Sequence, residues 1–281
     1  MTVRDDRILP ETRLAVIPVI MVLFSAFVTL YFWPEDTERL FAWTIRPRMT
    51  PLVMGSGYLA GAYAFAHVLT RARWHHVAFA FLAVEPFTVA MAAATLLHWD
   101  RFNHSHPWFW VWVVVYAVTP ILLPLLWLRN RRTDPGTPDD VMLPNPVRRL
   151  LYLGGLGGAV VAAFLFLLPE AAIQVWPWML TPLTSRIIGG WFALSAATAL
   201  VTARDGRWSA VRIAVRTSVL FAALQLVGIL RAWGDFNPAN PLTWGYVALV
   251  VGTLVGFIAL YVSMERRRSQ AGSTEALGTA S

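Results

Sequence analysis

The sequence predicts an all-α, polytopic integral membrane protein with eight transmembrane helices in two parallel four-helix repeats and both termini in the cytoplasm. Three observations carry that expectation. Apolar stretches of membrane-spanning length recur along the chain, arginine is distributed unevenly between alternate connections, and a polar–aromatic motif appears twice at a nearly constant offset.

Apolar runs occupy 14–33, 51–70, 77–99, 108–128, 150–169, 187–203, 209–231 and 244–264. Crossing a hydrocarbon layer takes about 20 mostly apolar residues in a helix, because the backbone polar groups must be satisfied internally. Hydrophobic residues make up 57% and charged residues 14% of the chain, well short of the roughly 25% charged residues of soluble domains. Period-two alternation is missing, which argues against an outer-membrane barrel. The first run is long for a signal peptide and lacks a small-x-small cleavage site, so it reads as a retained helix.

All 23 basic residues are arginine, and there is neither lysine nor cysteine. Lysine Schiff-base chemistry, disulfides, thiolate metal ligands and palmitoylation are therefore excluded. The net charge of +7 forms no patterned nucleic-acid module. Sixteen arginines fall on the side of the termini and the even-numbered connections, and six on the other. That asymmetry points to a cell-membrane protein with both ends in the cytoplasm and contacts to lipid.

Residues 133–147, TDPGTPDDVMLPNPV, have no apolar period and read as a cytoplasmic linker. They separate a first repeat at 1–132 from a second at 148–268, and 269–281 reads as a disordered polar tail. At an offset of 135, Pro34-Glu35 matches Pro169-Glu170, Trp43 matches Trp178, Pro47 matches Pro182, and Gly55 matches Gly190. At 134, Arg73-Trp74 matches Arg207-Trp208. The motif W-x-x-F-N-x-x-x-P-x-x-W then places Trp99, Phe102, Asn103, Pro107 and Trp110 against Trp233, Phe236, Asn237, Pro241 and Trp244. Fixed-period similarity of this kind marks a duplication. Four helices per half is an even number, so the repeats run parallel about an axis along the membrane normal. The shared residues cluster on the outer side and read as scaffold, with Pro-acid pairs starting short interfacial helices. Gly57-x-x-x-Gly61, Gly154-x-x-x-Gly158 and Gly252-x-x-x-Gly256 read as close-packing faces within the bundle.

Two groups of residues could carry chemistry. Glu85, followed by the helix-breaking Pro86, lies inside the third span and Arg216 inside the seventh, at similar depth on repeat-mate helices. An ionisable group in hydrocarbon is costly and needs a partner. The pair is therefore expected to meet across the axis, with Arg212 and Gln225 extending a substrate or proton site. The second group is His98, Asp100, His104 and His106, whose imidazoles and carboxylate suit zinc or copper in the outer loop. The matching positions Ala232, Gly234, Pro238 and Asn240 carry no such ligands. A haem between His67 and His98 is excluded because the two sit at opposite depths, and no nucleotide loop, nucleophile elbow or H-E-x-x-H motif is present.

Two functional expectations follow. One is small-solute or proton-coupled transport, or ligand binding, between the repeats. The other is a non-catalytic membrane subunit or assembly factor that binds a membrane-protein partner through the outer aromatic loops. A metalloenzyme on the histidine loop is a third.

Overall fold

The computed structural model describes residues 6–70, 73–131 and 140–278, with side chains described as far as residue 270. Among the described residues there are eleven α-helices and no strand. In chain order they are α1 (Pro10–Phe32), α2 (Thr37–Leu40), α3 (Met49–Leu69), α4 (Trp74–Ala83), α5 (Glu85–Leu97) and α6 (Pro107–Asn130). Then follow α7 (Asn145–Leu167), α8 (Pro169–Val175), α9 (Pro182–Asp205), α10 (Trp208–Arg231) and α11 (Pro241–Gly278). With α4 and α5 counted as one crossing, eight segments are long and apolar enough to span a membrane. The fold is that of a polytopic membrane-type helical protein.

Proline sets many of the helix starts. It occupies the first turn of α1, α5, α6, α7, α8 and α9, where its missing N–H would have no intrahelical partner. The starts of α1, α6, α7 and α9 lie one to five residues before the apolar runs detectable in the sequence. Pro86 acts differently, because it sits in mid-span. It cannot donate to the carbonyl four residues back, and the third crossing breaks at Val84. Gly206, at φ 70°, closes α9 in the left-handed conformation that favours glycine.

Residues 140–144, expected as linker, are packed. Leu143 is buried and donates to the Gly206 carbonyl at 2.8 Å, and Met142 bridges to Arg207. Residues 269–278, expected as a disordered tail, continue α11; extending a formed helix fixes one residue per added hydrogen bond and needs no new nucleus.

The helix contacts come in corresponding sets. α1 packs on α3 as α7 packs on α9, and α10 packs on α11 as α5 packs on α6. Between the halves, α3 meets α10, α9 meets α4 and α5, and α4 meets α10 centrally. The inner seam is therefore built from α3, α4–α5, α9 and α10. Its key is Trp191, which lies over Gly57. A methyl at Gly57 would come within 2.1 Å of the Trp191 ring, so only glycine admits the indole. Tyr58 and Phe87 flank that ring at 5.1 and 4.4 Å, and the seam is filled there.

The other glycine motifs divide. Gly61 meets Leu23, and Gly158 meets Ala196. Gly155, rather than Gly154, makes the tight approach to Leu200, while Gly154, Gly252 and Gly256 have nothing within 4 Å. The α11 motif is thus not an internal packing face, contrary to expectation.

Candidate functional site

The four intramembrane candidates do not converge. Glu85 opens α5 between Leu82 and Val89, one helical turn away on either side and both exposed, so it borders the outward surface rather than the seam. Its Oε2 is buried and has no hydrogen-bond partner. Arg216 is exposed on α10, and the two charges do not come within the 4.0 Å of an ion pair. The matched helix starts explain this. Glu85 lies eleven residues after Trp74 and Arg216 eight after Trp208, a difference of about 4.5 Å in helical rise at ~1.5 Å per residue. Arg212 instead pairs with Glu265 of α11 at 2.8 Å, and Trp208 Nε1 donates to the same carboxylate at 2.9 Å. Gln225 accepts from the Tyr246 hydroxyl, inside the second half. In the first half, the Tyr58 and Tyr116 hydroxyls are 3.1 Å apart.

The histidine group also separates. Arg186 Nη1 donates to His98 Nε2 at 2.6 Å, and burial, then the Arg186 charge, holds the His98 imidazole below its usual pKa. His104 Nε2 bonds the Trp99 carbonyl at 2.9 Å, and His106 Nε2 bonds the Arg39 carbonyl at 3.0 Å. The other nitrogen of His106 caps α6 by accepting from Trp108 N. Asp100 faces Arg101 at 3.6 Å. Among the described residues no three His, Asp or Glu side chains are gathered as a metal would require.

The residues of the twice-occurring motif make matching contacts. Asn103 N donates to the Ala42 carbonyl at 2.8 Å, and Asn237 N donates to the Pro177 carbonyl at 3.0 Å. Trp110 Nε1 donates to the His104 carbonyl and Trp244 Nε1 to the Pro238 carbonyl, at 3.0 and 3.1 Å. Trp43 packs edge-on to Phe102 as Trp178 does to Phe236. Both loops begin with a single 3-10 turn, Trp99–Arg101 and Trp233–Asp235. Bonds that cross between halves at this aromatic end include Trp178 Nε1 to Thr50 Oγ1 at 3.0 Å and Met49 N to Asp235 Oδ2 at 2.8 Å, besides Arg186 to His98.

At the opposite, arginine-rich end, four residues that the sequence reading did not bring together are linked in a chain. His75 N donates to Asp6 Oδ1 at 3.2 Å and its Nδ1 contacts Asp6 Oδ2; its Nε2 lies 3.0 Å from Ser209 Oγ. Ser209 N and Oγ both donate to Asp140. The order Asp–His–Ser resembles a hydrolytic triad, but the single hydroxyl proton is already directed at Asp140. The chain of contacts is a clasp in which Asp6 caps α4 and Asp140 caps α10. The signal was available: Asp5-Asp6-x-x-Leu9-Pro10 recurs as Asp139-Asp140-x-x-Leu143-Pro144 at the offset of 134.

Compared with protein-family models, curated proteins and solved structures, the chain gives no match.

Proposed function

We propose that the chain comprises two parallel four-helix repeats with both termini cytoplasmic in the cell membrane. We further propose that it acts as a non-catalytic membrane subunit or assembly factor, binding a membrane-protein partner through its outward aromatic end. The observation that carries this reading is the filled seam. Trp191, Tyr58 and Phe87 occupy the place where a solute path between repeats would run. The aromatic end, by contrast, leaves Trp110 and Trp244 exposed at 53% and 54% in corresponding positions. Matching hydrogen bonds in the two loops support the duplication, and the arginine distribution supports the orientation.

Photo-crosslinking amino acids at Trp110 and Trp244 in intact membranes test the partner. A discrete protein adduct is expected at both, but not at lipid-facing Leu153 of α7. Adducts at all three positions, or at none, defeat the reading. Orientation is tested on the natively cysteine-free chain: cysteines at Ser105 and Ala239 should react with an impermeant thiol reagent outside cells, and those at Asp134 and Ser273 should not.

One observation favours transport as a second reading, namely the unpartnered buried oxygen of Glu85 beside a broken helix. Proton-coupled transport requires Glu85→Gln to abolish flux in proteoliposomes at unchanged folding, and intact flux in that variant refutes it.

A further inference from the structure

At the aromatic end, where α1 finishes, the chain forms a cleft of about 190 Å³ between Phe32, Trp33, Glu35, Asp36, Arg48 and Arg231. Its charges are unevenly satisfied. Arg48 pairs with Glu35 at 3.2 Å and lies 3.8 Å from Asp235. Asp36 reaches Arg39 only at 4.0 Å. Arg231 donates to the Tyr31 carbonyl at 2.6 Å and lies over the Tyr31 ring at 5.1 Å, with no carboxylate within 4.0 Å among the described residues. One wall therefore presents a guanidinium without a counter-anion, and the facing wall presents carboxylates beside an indole that is 50% exposed.

From this arrangement we infer a binding site for a zwitterionic phospholipid headgroup. A phosphate suits Arg231, whose planar fork binds phosphoryl oxygens in pairs. The adjoining ammonium suits Asp36 and Glu35, with the Trp33 face adding cation–π attraction. A headgroup of net negative charge would meet the two carboxylates, and a purely cationic one would meet the two arginines. The position also fits an anchored ligand, because the cleft opens where the first span ends. Exposed apolar side chains descend from it on both neighbouring helices, Phe24 on α1 and Val227 and Leu230 on α10. Tyr31, whose hydroxyl donates to the Leu224 carbonyl at 2.8 Å, holds those two helices together beneath the site. The feature belongs to one half only. By the repeat offset the counterpart of Arg231 is Leu97, and that of Asp36 is Ala171.

The test is native mass spectrometry of the full, delipidated chain titrated with phosphatidylethanolamine, phosphatidylglycerol or soluble phosphoethanolamine. Phosphatidylethanolamine is expected to bind about tenfold tighter than either of the others, the factor that ~1.4 kcal/mol confers. Arg231→Gln should weaken both lipids alike, since both carry the phosphate, while Arg186→Gln, which alters an arginine elsewhere at this end, should leave both affinities unchanged. Asp36→Asn should bring the two lipids to equal affinity. That side chain is half exposed and its ion pair to Arg39 is long, at 4.0 Å, so folding is preserved even if Arg231→Gln disturbs the Tyr31 contact. Equal binding of both lipids by the native chain overturns the proposal, as does Asp36→Asn without effect. Soluble phosphoethanolamine binding as tightly as the lipid would reassign the site to a free zwitterion and overturn the lipid.

Discussion

Adding one methyl group at Gly57 probes the seam on which the functional reading rests. A Cβ there would lie 2.1, 2.5 and 2.6 Å from three carbons of the Trp191 ring. Carbon atoms rest about 3.5–4.0 Å apart, so the ring would have to retreat by roughly 1.4 Å. It has little room. Trp191 is only 3% exposed and is hemmed in by Tyr58, Phe87 and Phe221. Overpacking of this kind costs about 1–3 kcal/mol, and replacing a mid-helix glycine by alanine returns about 1 kcal/mol. Gly57→Ala should therefore destabilise by about 1 kcal/mol. Trp191→Ala opens a cavity and should cost about 3–5 kcal/mol.

In the Trp191→Ala background the new methyl has space. Gly57→Ala should there become stabilising by up to about 1 kcal/mol, a coupling of about 2 kcal/mol between the sites. Unfolding of the four proteins in mixed detergent, followed by circular dichroism, measures the cycle. If Gly57→Ala has the same effect in both backgrounds, the two residues do not form the contact, and the argument for a sealed seam fails with it.

Asp235 from the second half caps the N-terminus of α3, whose own N-cap residue Arg48 supplies no side-chain bond. Asp235→Ala should cost about 0.5–2 kcal/mol, read as a fall in melting temperature, whereas an unchanged melting temperature would show that the inter-half cap is idle. His98 supplies a pH test. Its folded-state pKa lies below its unfolded value, so unfolding takes up a proton and acid favours the unfolded chain. Stability should be complete above about pH 6.5 and decline as pH falls from there towards the folded pKa. His98→Asn should flatten that slope in melting curves recorded across pH 4.5–7.5 (roughly the window in which an ordinary histidine titrates), and an unaltered slope would assign it to other groups.

The eight crossings were legible because their physics is local: length, apolarity and proline at the first turn are all properties of short windows. The break at Val84 was equally legible from Pro86. What failed was the pairing of Glu85 with Arg216, and the reason is instructive. Depth was counted from apolar boundaries at 77 and 209, while the helices start at Trp74 and Trp208. Helical phase then turned Glu85 towards Leu82 and Val89 instead of the seam. The histidine loop failed for a different reason. Spacing along a chain does not say which partner an imidazole will find: the Trp99 and Arg39 carbonyls took His104 and His106, and the Arg186 guanidinium took His98. Asp6 and Asp140 escaped notice because they precede the apolar runs, in stretches that carry no period.

On the proposed duplication, the clasp illustrates how a repeated scaffold and a single site can coexist. If the repeats are related by the offset of 134, Asp6 corresponds to Asp140 and His75 to Ser209. Each aspartate then caps the same helix start in its own half, and the two capped side chains meet at 3.0 Å between α4 and α10. Two identical residues at that point would present either two imidazoles or two hydroxyls to each other. The unlike pair instead gives a donor facing an acceptor, with a carboxylate at each end. The same logic applies at the aromatic end, where Asn103 and Asn237 repeat one bond while Arg231 stands opposite Leu97. Bonds present in both halves hold the bundle together, and residues present in one half are the ones free to have acquired a ligand. On that criterion Arg231, Asp36 and Glu85 are the positions at which substitution should change what the protein binds, and the paired asparagines those at which it should change only how well it folds.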